Sequence, residues 1–407
     1  MQKITGGITA AAGFMAASTA AGIKKEDRQD MAMVCSTVPC TVAGTFTTNL
    51  VKAAPVKWDQ RIVQESENAQ AIVINSGIAN ACTGQEGMDS CERTAEAAAE
   101  ILKIRKDAVL VASTGVIGQP LPTNRIIKGV RQMAPCLSEE MEAGAAAAKA
   151  IMTTDTVPKE TAVSFEVDGK TATLGGMCKG SGMIHPNMCT MLAFLTTDVS
   201  ISKELLQEAL SDLVQDTFNM ISVDGDTSTN DTVLLLANGL AGNTMITEKD
   251  AGYDQFLQAL RQVMTILAKK IASDGEGASK LFEAVVEGAS TVKQAKILAK
   301  SIIMSNLSKA AMFGADANWG RILCAMGYAG VAFDPDKVDL WFESPVGKIG
   351  ILKDGILQPY SEEKATAILS AEEVRARADI HEGDCSAVAW GCDLTYDYVK
   401  INADYRS

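Results

Sequence analysis

Histidine is nearly absent from this sequence of 407 residues, which holds only His185 and His381. A histidine-based triad or a metal centre with several imidazoles would have to use one or both. The ten cysteines (35, 40, 82, 91, 136, 178, 189, 324, 385 and 392) include no C-x-x-C and no finger or ribbon spacing, which counts against a zinc site. They sit mostly in apolar runs, as reduced structural thiols do. Basic excess is missing too: 37 Lys and Arg stand against 50 Asp and Glu, a net charge of −13. No concentration of cations offers a surface to nucleic acid or to an anionic membrane. No apolar run reaches the ~18 residues of a membrane span. The start, MQKITGGITAAAGFMAAS, lacks a basic segment followed by an apolar one. The expected compartment is a reducing cytoplasm, with neither membrane nor nucleic acid as a partner.

What is present fits a globular chain. Hydrophobic residues make up 47% and charged residues 21%, enough apolar material for a large core and too little charge for disorder. The length corresponds to two or three domains, or to one large domain with an insertion. The charge is uneven: residues 1–189 hold 18 basic and 19 acidic side chains, and residues 190–407 hold 19 and 31.

Residues 69–77 (AQAIVINSG) and 107–115 (DAVLVASTG) are β-branched runs ending in small polar residues and Gly, the pattern of buried strands that run into loops. Between them SCERTAEAAAEILKI (90–104) repeats apolar and Ala positions at helical spacing, with Ser90 as N-cap. Helices are expected over 123–133 and 138–152, the second opened by Ser138 with Glu139, Glu140 and Glu142 in a first turn where the helix dipole favours carboxylates. Period two appears over 161–175 around Asp168-Gly169, a hairpin signal. A strand over 188–196, amphipathic helices over 202–220 and 250–272, strands at 231–237, 281–287, 337–342 and 386–399, and helices near 290–303 and 370–379 follow. Meandering strands alternate with crossovers, so the expected fold is α/β, with layered mixed sheets and outer helices of the α-β-β-α type, in two lobes.

The strongest chemical signal is KGSGMIHPNMCTM (179–191), where glycines crowd one lysine. Such a backbone either approaches something closely or is an ordinary turn before a strand. It lacks the spacing of a phosphate-cradling loop. KGSGMIHPNMCTMLAFLTTD resembles the autoprocessing segment of the glutamate N-acetyltransferase / ornithine acetyltransferase family of arginine biosynthesis. The likeness extends along the chain through GGITAAAGFMAA, NSGIANACTG, STGVIG, MTTDT, SVDGDTSTND, SDGEGASK, AMFGADANWGRI and the terminal INADYRS. Cys189 stands where alanine is usual, Ile78 where a second asparagine is, and Ala315 and Ala317 where an acid and a proline are; none is a matched site position.

The resemblance implies a precursor that cuts itself between Cys189 and Thr190, leaving residues 1–189 and 190–407 together as two chains, the second with a smaller C-terminal lobe. A threonine hydroxyl needs a base, and a freed α-amino group, with pKa about 8, supplies one on the nucleophile's own residue. Without the resemblance Thr190 reads instead as a β-branched residue opening a strand. Thr114 and Gly115 of STGVIG match the oxyanion hole, whose donors are worth about 3–4 kcal/mol each. Thr153 and Lys179 match substrate-binding positions along with Thr190 itself, the lysine facing a substrate carboxylate. Glu276, between Gly275 and Gly277, matches a position that pairs with an ammonium, and Asn402 and Ser407 match the last two binding positions. Without the resemblance Lys179 is a solvated lysine, Glu276 a turn acid and the C-terminus a frayed end.

The implied reaction moves acetyl from N2-acetylornithine to glutamate through an acetyl-threonine, with no cofactor, in an assembly of two α and two β chains. Some members of the family also take acetyl from acetyl-CoA, and no residue decides whether this chain does. The rivals are an amidohydrolase or aminopeptidase with the same kind of nucleophile and water as acceptor, and a non-catalytic amino-acid-binding protein.

Overall fold

The period-two segment folds as the hairpin its turn predicts. Strands Lys159–Val167 and Lys170–Lys179 pair antiparallel, and both turn residues take positive φ, 51° at Asp168 and 68° at Gly169, as a two-residue primed turn requires. The structure, a computed structural model, describes residues 1–24, 28–185 and 191–404. Thr190, the Cys189–Thr190 bond and Ser407 lie outside the described residues.

The hairpin belongs to a nine-stranded mixed sheet. Its spatial order is Gln2–Ile4, Lys159–Val167, Lys170–Lys179, Leu192–Thr197, Thr232–Ala237, Met31–Phe46, Ala69–Ile78 and Val109–Val116, with Phe14–Thr19 also on Met31–Phe46. Met31–Phe46 joins two parts of this sheet. Its register shifts between Cys35 and Cys40, where Pro39 has no N–H to give to a ladder. Met31 to Cys35 pair with Phe14–Thr19 and Ala69–Ile78, Cys40 still faces Ala69, and Thr41 to Phe46 pair with Thr232–Ala237. Leu192–Thr197 and Thr232–Ala237 run parallel and are buried throughout, which is why both read as continuous apolar runs.

A second, six-stranded sheet comes wholly from residues 281–392, in the order Ile356–Leu357, Gly347–Lys353, Asp339–Ser344, Glu373–Asp379, Leu281–Ala289 and Cys385–Cys392. Helix Ala251–Ser273 touches both sheets, through the hairpin on one side and Leu281–Ala289 and Cys385–Cys392 on the other. Asp250 opens it by accepting the Tyr253 amide at 3.0 Å, and Tyr253, Phe256, Leu260, Val263, Leu267 and Ile271 are buried at helical spacing. One apolar core therefore continues from the first sheet into the second. The fold is mixed α/β with two mixed sheets and helices packed on them. Among the described residues no helix is long and apolar enough to cross a membrane.

Several expected elements move. Residues 370–379 form not a helix but strand Glu373–Asp379, with the helix upstream at Glu362–Leu369. The segment EVRARAD buries Val374, Ala376 and Ala378 and turns Glu373, Arg375 and Arg377 outward, so a period of two prevails over good helix formers. The strand expected over 386–399 stops at Cys392, and helix Tyr396–Asp404 follows. Ser90 is not an N-cap: its helix runs Gly84–Leu102, and the hydroxyl donates back to the Glu86 carbonyl at 2.8 Å. Ser138 pairs with Ala16 in an isolated bridge, and its helix begins at Met141. The helix from Ser202, which does cap it, ends at Val214 before a short 3-10 turn at Phe218–Met220. Strand Met31–Phe46 and helices Ala54–Glu65, Asn306–Phe313 and Trp319–Gly327 had no reading from sequence.

Candidate active site

Strand Val109–Val116 runs parallel to Ala69–Ile78 and delivers Thr114 and Gly115 at its C-terminal end. The two strands touch there. A Cβ on Gly115, whose φ is +131°, would lie 2.2 Å from the carbonyl carbon of Gly77, so only glycine fits. Asn230 holds the neighbouring backbone, its Nδ2 donating to the carbonyls of Ser113 at 2.8 Å and Ala79 at 2.6 Å, while its Oδ1 accepts from Thr229 Oγ1 at 2.7 Å.

The glycine-crowded loop leaves the hairpin at Lys179, and what it approaches closely is Glu276. A Cβ on Gly182 would lie 2.2 Å from Cδ of Glu276. The Glu276 amide donates to the Ser181 carbonyl at 3.0 Å, and Glu276 Oε2 accepts from Asn402 Nδ2 at 2.8 Å. Helix Tyr396–Asp404, which carries Asn402, buries none of its residues. Thr395 ties its start to the Gly277 carbonyl at 2.6 Å.

Thr114, Gly115, Thr153, Lys179, Glu276 and Asn402 thus line one cleft of about 130 Å³ together with Ser228 and Asn230. A smaller space of about 30 Å³ shares Thr114 and Lys179 with it and reaches Met191, the residue after Thr190, and Asp231. Every described position that the sequence singled out lies in this cleft. Neither histidine lines it. His185 lies behind the loop with Nδ1 3.2 Å from Ser222 Oγ, and burial, helped by Lys300, pushes its pKa down to about 4, so the ring is neutral at neutral pH. His381 is on the exposed side of the second sheet, 3.0 Å from Asp339.

Beneath the cleft lies a buried ion cluster. Lys159 Nζ meets Asp155 Oδ1 at 2.7 Å and also Asp274, with both Lys159 and Asp155 side chains fully out of solvent. Burial alone would push the Asp155 carboxyl up, but the Lys179 and Lys159 ammoniums, with hydrogen bonds from Lys159 and the Gly180 amide, hold it down at about 2. Lys159 is likewise held above its ordinary range, burial being outweighed by the two carboxylates. Asp231 is the opposite case. Burial pushes its carboxyl well above the usual range, and its Oδ2 has no hydrogen-bond partner. Asp224, also raised by burial, accepts the Met183 and Ile184 amides at 2.7 and 2.8 Å and so fixes the far end of the glycine-rich loop.

Sequence reasoning did not single out Asn230, Asp155, Lys159 or Asp274. Three of them sit inside segments that carried the resemblance, STND, MTTDT and SDGEGASK. Their one visible signal was their place beside positions that the resemblance matches.

Comparisons with known proteins identify the family. The ArgJ family model matches residues 15–407. The arginine biosynthesis bifunctional protein ArgJ of Symbiobacterium thermophilum is 53% identical over 409 residues, covering 100% of both chains. ArgJ 1 of Clostridium acetobutylicum is 52% identical over 394 residues, 97% of this chain and 96% of that one. The crystal structure of ArgJ from Bacillus halodurans, 48% identical, matches with a TM-score of 0.51 over 53% of this chain and 100% of its own. The chain belongs to the ArgJ family and is an acetyl-transferring enzyme of arginine biosynthesis.

Proposed function

We propose that the chain cuts itself between Cys189 and Thr190 and then moves acetyl from N2-acetylornithine to glutamate through an ester on Thr190. The α-amine of Thr190 takes the proton of Oγ, which attacks the acetyl carbonyl. The Thr114 hydroxyl and the Gly115 amide hold the oxyanion. Ornithine leaves with the proton on its nitrogen. Glutamate then attacks the ester, its amine proton passing through the α-amine back to Oγ, and departs as N-acetylglutamate. Lys179 faces the α-carboxylate of either amino acid, and Glu276 the ornithine ammonium, beside Thr153, Asn402 and Ser407.

The observation that carries this reading is convergence. Residues from five distant segments, at 114–115, 153, 179, 276 and 402, meet in one cleft, and a smaller space adjoining it reaches Met191. In keeping with a cut, the Bacillus halodurans chain is matched from end to end by only 53% of the present one, close to the share of the sequence from Thr190 onward. The two products, carrying −1 and −12 by side-chain count, pair as two α and two β chains in the cytoplasm. Because the relatives are called bifunctional, acetyl-CoA is the second donor to assay.

Incubated with N-acetylornithine and no acceptor, the enzyme should carry one acetyl group on Thr190 by mass spectrometry; acetyl on another residue overturns the mechanism. Thr190→Ala should stay one chain and be inactive. Acetyl release to water as fast as transfer to glutamate would instead identify an amidohydrolase.

A further inference from the structure

Two loops and a strand end supply Thr153, Glu276 and Lys179, and one buried cluster holds all three. Asp155 Oδ2 accepts the Thr153 amide at 3.0 Å. Asp155 Oδ1 accepts the Gly180 amide, one residue beyond Lys179, at 2.7 Å and Lys159 Nζ at 2.7 Å. Lys159 joins this carboxylate to Asp274. Asp274 accepts the Thr156 amide at 3.1 Å and, through its backbone carbonyl, Ser181 Oγ at 2.7 Å, and it lies two residues before Glu276. None of these bonds reaches Thr114 or Gly115, whose strand is held from another side by Asn230.

We propose that Asp155, backed by Lys159 and Asp274, is a positioning residue for amino-acid binding, fixing Lys179 and Thr153 against Glu276 while leaving the oxyanion hole at Thr114 and Gly115 to a separate support. The inference rests on the acetyl-transfer reading above and deepens it. Two buried carboxylates around one lysine are a poor way to add stability, since apolar side chains of the same size often do as well. Their geometry here is specific instead: each carboxylate accepts main-chain amides of site loops, and an apolar substitute would leave those amides unsatisfied. Asp155 also feels the charge of Lys179. Its loss therefore moves the loop and changes the field at the atom that meets the substrate carboxylate.

The test compares wild type with Asp155→Asn, which keeps the shape and removes the charge. The expected result is a variant still cut into two chains, with KM for N-acetylornithine and for glutamate each raised at least tenfold and kcat reduced less. Unchanged KM values with a lowered Tm overturn the proposal, because a merely structural cluster moves stability alone. Loss of the cut together with activity also overturns it, since the two supports are then not separate. If Asp155→Asn does not fold, Thr156→Val decides, for it removes only the hydroxyl that donates to Asp274. A KM increase of twofold or more in a cut enzyme supports the proposal, and an unchanged KM overturns it. A wild type that is neither cut nor active in transfer refutes the acetyl-transfer reading rather than the role of Asp155.

Discussion

The cluster beneath the cleft and the outer face of the second sheet are both built from ion pairs, in opposite surroundings. Asp155, Lys159 and Asp274 meet in the dark of the core. On the six-stranded sheet Glu283, Glu287 and Glu343 pair with Arg375, Arg377 and Lys348 across neighbouring strands, and the cations are roughly a third to a half exposed. In the core the Coulomb attraction is strong, and the cost of leaving one partner behind is stronger. On the sheet, water screens each pair and can take over from a lost partner. The two sets of charges therefore do different work: the core set fixes geometry at the site, while the sheet set keeps an uncovered face wet and unaggregated.

Removing the cation of the core set breaks this comparison hardest. Lys159→Met leaves two carboxylates buried against each other, and stability should fall by about 3–5 kcal/mol, read as a shift of the denaturant midpoint. A loss below about 1 kcal/mol would mean that water reaches the cluster. The pH dependence has a definite sign. The Asp155 carboxyl, depressed to about 2, contributes stability above the ordinary carboxylate pKa of about 4, and that contribution is lost as pH falls toward 2. In Lys159→Met this acid limb should move to higher pH.

This contrast also separates what was legible in the sequence from what was not. The hairpin at Asp168-Gly169 and the helix from Asp250 were readable because their signals are local, two positive-φ residues in one case and a cap with an apolar stripe in the other. Strand Glu373–Asp379 was misread because Glu, Arg and Ala are good helix formers, and only the neighbouring strands decide that Arg375 and Arg377 point one way and Ala376 the other. The positions at the cleft came through resemblance, since spacing alone leaves Lys179 a solvated lysine, and that resemblance placed Thr114, Lys179 and Asn402 as members of one site. The supports came through neither. Lys159 looks like any lysine opening a strand, and nothing within ten residues announces that Asp274 will meet it.

An intermediate case sharpens the comparison. Glu283 is mostly buried although its face of the sheet is open, and it accepts from Trp390 Nε1 at 2.7 Å, from Lys269 at 2.9 Å and from Arg375. Burial would raise its pKa, but Lys269, Trp390 and Arg375 hold it below the ordinary range. Glu283→Gln keeps the shape and one acceptor, so the loss should be about 1–2 kcal/mol, between the core cluster and a free surface pair. A loss equal to that of Lys159→Met would mean the sheet face is covered in the assembled enzyme.

The smallest effect belongs to His381, at the end of strand Glu373–Asp379. Its Nε2 lies 3.0 Å from Asp339 and its Nδ1 3.5 Å from Asp379, in a ring close to half exposed, and the hydrogen bond to Asp339, with Asp379 and Asp354 nearby, raises its pKa. A raised histidine contributes stability that is fully present below its unfolded pKa of about 6.5 and fades as pH rises through the folded value. With this much exposure the contribution stays within the ~0–1 kcal/mol of surface pairs. His381→Gln should leave stability unchanged at pH 9, lower it slightly at pH 6 and remove that part of the slope between them, as measured by denaturant titration at the two pH values. A drop as large at pH 9 as at pH 6 would show that the ring matters by packing rather than by charge, and would place His381 with the core set instead of the open face.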